Sequence, residues 1–309
     1  MLPTLPADSV HCVVTSPPYW GLRDYGVAGQ LGLESTPEAY LAQMVGVFRE
    51  VRRVLRDDGT CWLNMGDAYN SRLNGSHGGW NGSSPTPQRT MNPGADVQIS
   101  APGCKPKDLV GMPWRLAFAL QADGWYLRAD CIWAKPNPMP ESVTDRPTKA
   151  HEYVFLLTKS ARYFYDADAV REPDAGNDHA RSILTGQASL EPSNGLRSPH
   201  RGLRTLAGRN GTGRNLRTVW TIATEPTPDA HFATFPQALA LRCILAGCPA
   251  GGIVLDPFAG TGTVGRVAEH CGRHAILIEL SPAYGELIRE RTAQRGLFAQ
   301  GNGHAVSLE

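Results

Sequence analysis

The chain has 309 residues, of which 41% are hydrophobic and 19% charged, values ordinary for a globular protein with one large domain or two small ones. Its formal net charge of +1 points to no particular partner, although 25 of its 30 basic residues are arginines, which suit phosphate and guanine edges. The seven cysteines show no C-x-x-C spacing, which argues against a disulfide framework and a zinc site. No leader-like segment and no apolar run of membrane length is found, so we expect a soluble, cytoplasmic protein without a metal centre or a membrane partner.

The first informative stretch is VVTSPPYWGLRDYG, near the start of the sequence. Residues 11–15 are β-branched and apolar, which predicts a short buried strand. The strand must stop at Ser16, because Pro17 and Pro18 have no N–H to continue a ladder. The result is a rigid turn that presents a hydroxyl and two aromatic rings where ligands gather in open α/β sheets. A proline-capped strand end with core aromatics is the alternative at this point.

The middle of the chain alternates predicted helices and strands. Apolar residues recur every three or four positions over 37–56, which predicts an amphipathic helix, and a strand follows over 60–64. Strand, helix and strand together favour a parallel α/β sheet. Residues 70–104 are rich in Gly, Ser, Asn and Pro and are predicted to form a mobile loop. A helix over 107–122 and two strand-like runs, GWYLRADCIWA and HEYVFLLTKS, complete this part, and His151 is interpreted as a strand-edge residue without a catalytic role.

A basic segment covers residues 181–217, with seven arginines, no lysine and one acid, a net charge of +6. Glycine, serine, asparagine and proline separate the charges. The segment is either a solvated basic loop or a surface that contacts nucleic acid. In the second case Arg201, Arg204 and Arg209 are the candidate DNA-binding residues.

A glycine-rich turn, PFAGTGTVG, lies between two strand-like runs at 252–256 and 274–279. Glycines allow close approach of the backbone to a ligand, and the helix that follows offers unpaired N–H groups. Glu279, 19 residues after Gly260, could accept ribose hydroxyls, so the pattern predicts an adenosine-bearing cofactor. A nicotinamide dinucleotide is one alternative, but the position of the unit late in the chain and the Asp-Pro-Phe before the glycines count against it.

TSPPYW early and DPFAGTGT late together resemble the DNA amino-methyltransferases of the permuted, β-type order, in which the catalytic segment precedes the cofactor segment. KPKDLVGMPWRLAFAL, IWAKPNPMPES, HEYVFLLTKS, NLRTVWTI and HFATFP resemble the segments that lie between the two in that family. The resemblance implies an α/β fold with a mostly parallel, doubly wound, Rossmann-like sheet. It implies a catalytic half over 1–165, a target-recognition insert over 166–216 and a cofactor-binding half over 217–309. Members of this order usually begin with one more strand before the segment that starts here at LPADSV, so either that edge strand is absent or this sequence starts after it.

The resemblance also assigns roles to residues. The S-P-P-Y element, Ser16, Pro17, Pro18 and Tyr19, would hold an extruded base, with Ser16 and the Pro17 carbonyl accepting hydrogen bonds from its amine and Tyr19 stacking on its ring. The residues expected to bind S-adenosylmethionine are Asp256, Phe258, Gly260, Gly262, Thr263 and Glu279. The partners implied are duplex DNA and a cognate restriction endonuclease.

The serine form of this element is typical of enzymes that methylate N4 of cytosine, which makes site-specific N4 methylation the expected activity. Such an amine is a poor nucleophile, so acceptors aimed at its protons localise the lone pair as it attacks the methyl group. Lifting the base from the duplex costs a few kcal/mol. Two alternatives stay open: the same chemistry on N6 of adenine, and a catalytically silent nucleic-acid-binding module.

Overall fold

The computed structural model describes residues 1–22, 24–70, 101–173, 213–225 and 236–293. These ranges contain seven strands and five α-helices. In chain order they are β1 (Val10–Thr15), α1 (Pro37–Val54), β2 (Leu55–Met65), α2 (Met112–Ala122), β3 (Tyr126–Ala134), β4 (His151–Thr158), β5 (Val219–Thr221), α3 (Gln237–Gly247), β6 (Ile253–Asp256), α4 (Thr263–His270), β7 (His274–Leu277) and α5 (Pro282–Ala293).

The strands form one seven-stranded sheet in the order β5-β3-β4-β2-β1-β6-β7. Strand β4 runs antiparallel to both of its neighbours, β2 and β3, and every other pairing in the sheet is parallel. The predicted mostly parallel sheet is therefore confirmed. Strand β7 is the outermost strand beside β6, and no described residue pairs with its other edge.

Helices cover both faces of the sheet, as a doubly wound fold requires. Side chains of β1 alternate between the two layers, with Val13 on one face and Val14 on the other. The first layer is closed by apolar side chains of α1 and α2: Tyr40, Met44, Phe48, Leu116 and Leu120. The second is closed by those of α3 and α4: Leu239, Ile244, Val264 and Val267.

Helix α1 begins as its sequence predicts. The Thr36 hydroxyl accepts the N–H of Ala39 at 3.1 Å, and Pro37 occupies the first turn, where its missing N–H is no loss. The helix ends at Val54, two residues before the predicted end, because Leu55 already has extended backbone and pairs with Val10 of β1. The prediction of a strand over 60–64 was therefore too short.

The start of α2 was also predicted wrongly, at residue 107 rather than Met112. Gly111 adopts φ 77°, a left-handed conformation that ends the preceding loop. The carboxylate of Asp67 then accepts the N–H groups of Gly111 and Met112, both at 3.0 Å. A carboxylate just after β2 thus caps α2. The apolar periodicity of the helix could not predict this cap, because the capping residue lies in a distant part of the sequence.

Candidate functional site

The S-P-P-Y turn leaves the carboxyl end of β1 and is held from the side of α1. The Tyr40 hydroxyl donates to the Pro18 carbonyl at 2.9 Å, while Pro17 is buried. Trp20 is buried in the first core layer and its indole N–H donates to the Glu34 carbonyl at 2.8 Å. Trp20, the second aromatic residue of the turn, is therefore part of the hydrophobic core. The Tyr40 contact and the two prolines together hold the turn in one conformation.

Tyr19 projects from this turn towards the ends of β2 and β4. Its hydroxyl donates to Oε2 of Glu152 at 2.8 Å and lies 3.3 Å from both Ser16 Oγ and Asn64 Oδ1. Burial, and secondarily the Glu152 charge, raise the pKa of Tyr19 well above its ordinary value. The ring edge lies against Gly66, where a Cβ atom would stand 2.6 Å from Tyr19 Cε2. Tyr19 is thus a neutral, tightly held ring whose position needs glycine at residue 66.

Sequence reasoning missed the residues that surround the Tyr19 hydroxyl. Asn64 lies on β2, and its amide nitrogen donates to Glu152 Oε2 and to the Tyr153 carbonyl, each at 3.1 Å. Lys135, just after β3, donates to Glu152 Oε1 at 2.5 Å. The signal was available in outline, since an antiparallel pairing of the runs GWYLRADCIWAK and HEYVFLLTKS places Lys135, at the end of the first run, near Glu152, at the start of the second.

The glycine-rich turn lies at the carboxyl end of β6, directly beside β1 in the sheet. Asp256, the last residue of β6, is buried and its Oδ1 accepts the Thr15 hydroxyl at 2.7 Å and the Phe258 N–H at 3.1 Å. Burial, with a smaller contribution from the nearby Glu279 charge, raises the pKa of Asp256 to about 7 despite these two donors. A buried carboxyl with a strongly raised pKa, at a strand end beside a glycine turn, is typical of a functional site.

Glu279 closes the turn from the far side. Its Oε2 accepts the Gly260 N–H at 2.7 Å and its Oε1 accepts the Ser281 N–H at 2.8 Å. Gly260 has φ 51° and Gly262 has φ 78°, so both positions favour glycine. Gly262 caps α4, whose first residue is Thr263. The βαβ unit predicted from sequence, with its acid just beyond the second strand, is present.

The predicted recognition insert is tied together at its base. Glu172 and Arg214 exchange backbone hydrogen bonds, each 2.9 Å long. The Glu172 carboxylate also accepts the guanidinium groups of Arg214 at 2.9 Å and Arg217 at 2.7 Å. Two arginines of the basic segment are thus engaged with an acid of the same chain. Arg201, Arg204 and Arg209, and all but the ends of the predicted loop 70–104, lie outside the described residues.

The seven cysteines are free thiols. No group of three or more His, Cys, Asp and Glu side chains in the described ranges could hold a metal ion. None of the described helices has the length and apolar character needed to cross a membrane.

Comparison with known proteins agrees with this geometry. A family model described as DNA methylase matches residues 10–290. The type II methyltransferase M.SmaI of Serratia marcescens is 45% identical over 294 residues, which cover 94% of this chain and 87% of that protein. M.XycI of Xanthomonas campestris pv. cyanopsidis is 48% identical over 291 residues, which cover 94% of this chain and 84% of the relative.

Two solved structures share the fold. The PvuII DNA methyltransferase, described as cytosine-N4-specific, aligns with a TM-score of 0.57 and 20% identity over 98% of this chain and 84% of its own. A DNA modification methylase of Thermus thermophilus, solved in complex with S-adenosyl-L-methionine, aligns with a TM-score of 0.55 and 24% identity over 95% and 89% of the two chains. With the family model spanning residues 10–290, the chain belongs to the DNA methylase family whose members modify the amino groups of bases, N6 or N4.

Proposed function

We propose that this DNA methylase transfers a methyl group from S-adenosylmethionine to the exocyclic N4 of cytosine in duplex DNA, by direct attack of a flipped base. The observation that carries the proposal is the adjacency of two turns. Ser16 and Tyr19 follow β1, the glycine-rich turn follows β6, and the Thr15–Asp256 hydrogen bond of 2.7 Å joins the two strand ends. The turn proposed to accept the amine and the turn proposed to hold the methyl donor therefore follow neighbouring strand ends.

The chemistry of Ser16 supports this proposal. A neutral hydroxyl can accept a hydrogen bond from one N–H of the target amine, and the Pro17 carbonyl can accept a hydrogen bond from the other. Together they would turn the amine lone pair towards the methyl group and hold it in line for transfer. The ring of Tyr19 would stack on the extruded base and offset part of the cost of flipping. No covalent nucleophile is needed, and the buried thiols of Cys12 and Cys61, with pKa values raised by burial, play no part.

The residues of the glycine-rich turn fit S-adenosylmethionine, which supplies an electrophilic methyl group when bound. A Cβ atom at Gly260 would meet no atom within 4 Å, so open space lies beside this part of the backbone. Each oxygen of Glu279 accepts a hydrogen bond from one backbone N–H and has a further lone pair that could accept one from a ribose hydroxyl. We therefore assign Glu279 to the ribose, and Asp256, Phe258, Gly260, Gly262 and Thr263 to the walls of the same site.

The choice of cytosine rests on Ser16. The PvuII enzyme, cytosine-N4-specific by its description, is only 20% identical, so that likeness supports the fold alone. The test is to incubate unmethylated duplex DNA with the protein and S-adenosylmethionine, digest it to nucleosides and identify the product by mass spectrometry. We expect the product to be N4-methyldeoxycytidine. Methylated deoxyadenosine alone would refute the choice of base, 5-methyldeoxycytidine would refute the mechanism, and no product would favour a silent binding module.

We further infer that the enzyme protects its DNA site against a cognate restriction endonuclease. The type II designation of M.SmaI and M.XycI supports this pairing. Because the seven thiols are free and the substrate is cellular DNA, we place the reaction in the cytoplasm. Methylation-sensitive sequencing of DNA from cells that express the chain would report the modified base and the recognised site together.

A further inference from the structure

Glu152 is the common hydrogen-bond partner of three side chains at the proposed base-binding site, each from a different segment of the chain. It lies at the start of β4, opposite Trp133 of β3, and its side chain is only 15% exposed. Oε1 accepts from Lys135, whose side chain is 18% exposed and whose ammonium also lies 4.3 Å from the centre of the Trp133 ring. Oε2 accepts from Asn64 at 3.1 Å and from Tyr19 at 2.8 Å. A buried carboxylate held by three donors is an acceptor only.

The Glu152 carboxylate sets the direction of the Tyr19 O–H bond. The contact with Glu152 Oε2 is 2.8 Å long, whereas the contacts with Ser16 Oγ and Asn64 Oδ1 are both 3.3 Å. A hydrogen bond to a charged acceptor is shorter and stronger than one to a neutral acceptor, so the Tyr19 proton lies on the Glu152 side. Towards Ser16, the phenol oxygen can then only accept. The Ser16 hydroxyl is then free to donate to Tyr19, which leaves the Ser16 lone pairs for the substrate.

We propose that Glu152 is a positioning residue that sets the direction of the hydrogen bonds in the Ser16–Tyr19–Glu152 chain, and thereby makes Ser16 an acceptor for the amine of the target base. This inference rests on the proposed function, in which Ser16 meets that amine. Glu152 itself acts through Tyr19 and does not touch the base. With the direction reversed, the Ser16 O–H would point at the amine. Two donors would then face each other, and Ser16 could not accept a hydrogen bond from the amine.

Glu152→Gln tests the direction, because the carboxamide has nearly the same shape. Its oxygen would stay with Lys135, and its NH2 group would face the two groups that donate to Oε2 in the wild type, the Asn64 amide and the Tyr19 hydroxyl, so the phenol would have to accept. We expect the single-turnover rate of methyl transfer to fall at least 30-fold, with the dissociation constant for S-adenosylmethionine unchanged within twofold. Glu50→Gln makes the same chemical change at a surface pair with Arg53 on α1, and we expect it to keep the wild-type rate.

Tyr19→Phe provides the second variant, since it removes the middle of the chain. We expect about a tenfold slower transfer, and Glu152→Gln made in this background should slow the reaction by less than a further threefold. Equal losses in both backgrounds, a loss of cofactor affinity, or a wild-type rate for Tyr19→Phe would each overturn the inference. The rates are scored on whichever base the wild-type enzyme methylates, so an unexpected base would refute the proposed function and leave this test intact.

Discussion

Thr15 and Asp256 lie 241 residues apart in the chain, yet their side chains form a buried hydrogen bond 2.7 Å long between the ends of two adjacent strands. Thr15 immediately precedes the proposed base-binding turn, and Asp256 immediately precedes the glycine-rich turn. The parallel pairing of β1 with β6, with Val13 opposite Leu255, brings the two residues together. This bond therefore couples the geometry of the two halves of the proposed active site.

Replacing Thr15 by valine should destabilise the protein by about 1–3 kcal/mol, because a buried carboxyl loses a hydrogen-bond donor. The hydroxyl favours the charged form of Asp256 and so lowers its pKa, which means that its loss costs more when Asp256 is ionised. We expect the loss of unfolding free energy to be larger at pH 8 than at pH 5. Denaturant unfolding of Thr15→Val and of the hydroxyl-retaining control Thr15→Ser measures both effects, and an equal loss at both pH values would contradict this account.

The raised pKa of Asp256 predicts a pH dependence of stability. In the folded protein the carboxyl keeps its proton up to about pH 7, whereas an unfolded chain releases it near pH 4. Between these values the folded state binds more protons, so the contribution of Asp256 to the free energy of unfolding falls as the pH rises. Asp256→Asn removes this fall. We therefore compare the free energy of unfolding of Asp256→Asn with that of the wild type at each pH. The difference should shift in favour of the variant by an amount on the order of 2 kcal/mol between pH 5 and pH 7.5.

Asp130→Asn is the matched control for that experiment, since Asp130 is an exposed residue on β3. Its stability relative to the wild type should stay constant over the same pH range. If Asp256→Asn gives an equally flat difference, the carboxyl of Asp256 titrates normally and the burial argument is wrong.

Tyr19→Ala should remove the stack on the extruded base, at a cost of roughly 1–3 kcal/mol in DNA affinity by analogy with single-strand binding platforms. The affinity for S-adenosylmethionine should stay near that of the wild type, because no described contact joins Tyr19 to the glycine-rich turn. Titrations with DNA and with cofactor separate the two. A parallel loss of cofactor affinity would make Tyr19 a structural residue.

Gly66→Ala should disturb the Tyr19 ring without removing it. The added Cβ would stand 2.6 Å from Cε2 and 3.1 Å from Cδ2 of the ring, too close for either group to stay in place. We expect kcat/KM for DNA to fall and cofactor affinity to be retained. Gly46→Ala is the control, since a Cβ there meets nothing within 4 Å and alanine in a helix is favoured by roughly 0.5–1 kcal/mol. Wild-type kcat/KM for Gly66→Ala would show that the ring has room to move.

The parts of the site that sequence predicted correctly are those set by local chemistry. Pro17 and Pro18 end β1 because they lack N–H groups, and the glycine-rich turn needs Gly260 and Gly262 for their positive φ angles. The acid beyond the second strand, Glu279, follows from spacing within one βαβ unit. Each of these features is complete within about 30 residues of chain.

The parts that sequence missed depend on contacts between distant segments. Tyr19 meets Asn64 45 residues later, through the parallel pairing of β1 with β2. It meets Glu152 133 residues later, through the antiparallel register of β4 against β2. Likewise, the start of α2 was misplaced because its cap, Asp67, comes from the end of another strand. Periodicity reports which face of an element is apolar, but not which side chains meet across the sheet.

The basic segment provides the last prediction, which concerns DNA. We suppose that Arg201, Arg204 and Arg209 each contact a phosphate. Replacing all three by Gln should then reduce the magnitude of the slope of log affinity against log salt by about 2.7, or roughly 0.9 per contact. Binding to DNA of unrelated sequence should weaken in the same way, because phosphate contacts carry no base information. Affinities measured over a series of salt concentrations give the slope directly.

The structure offers a matched control in the same segment. Arg214 and Arg217 donate to Glu172, whose side chain is only 9% exposed, so their charges are engaged within the protein. Replacing these two by Gln should lower the free energy of unfolding, because Glu172 loses its partners, and should leave the salt slope unchanged. An unchanged slope for the first set would mean that Arg201, Arg204 and Arg209 form a solvated linker. A flattened slope for Arg214 and Arg217 would instead mean that DNA competes with Glu172 for these guanidinium groups and opens the base of the insert.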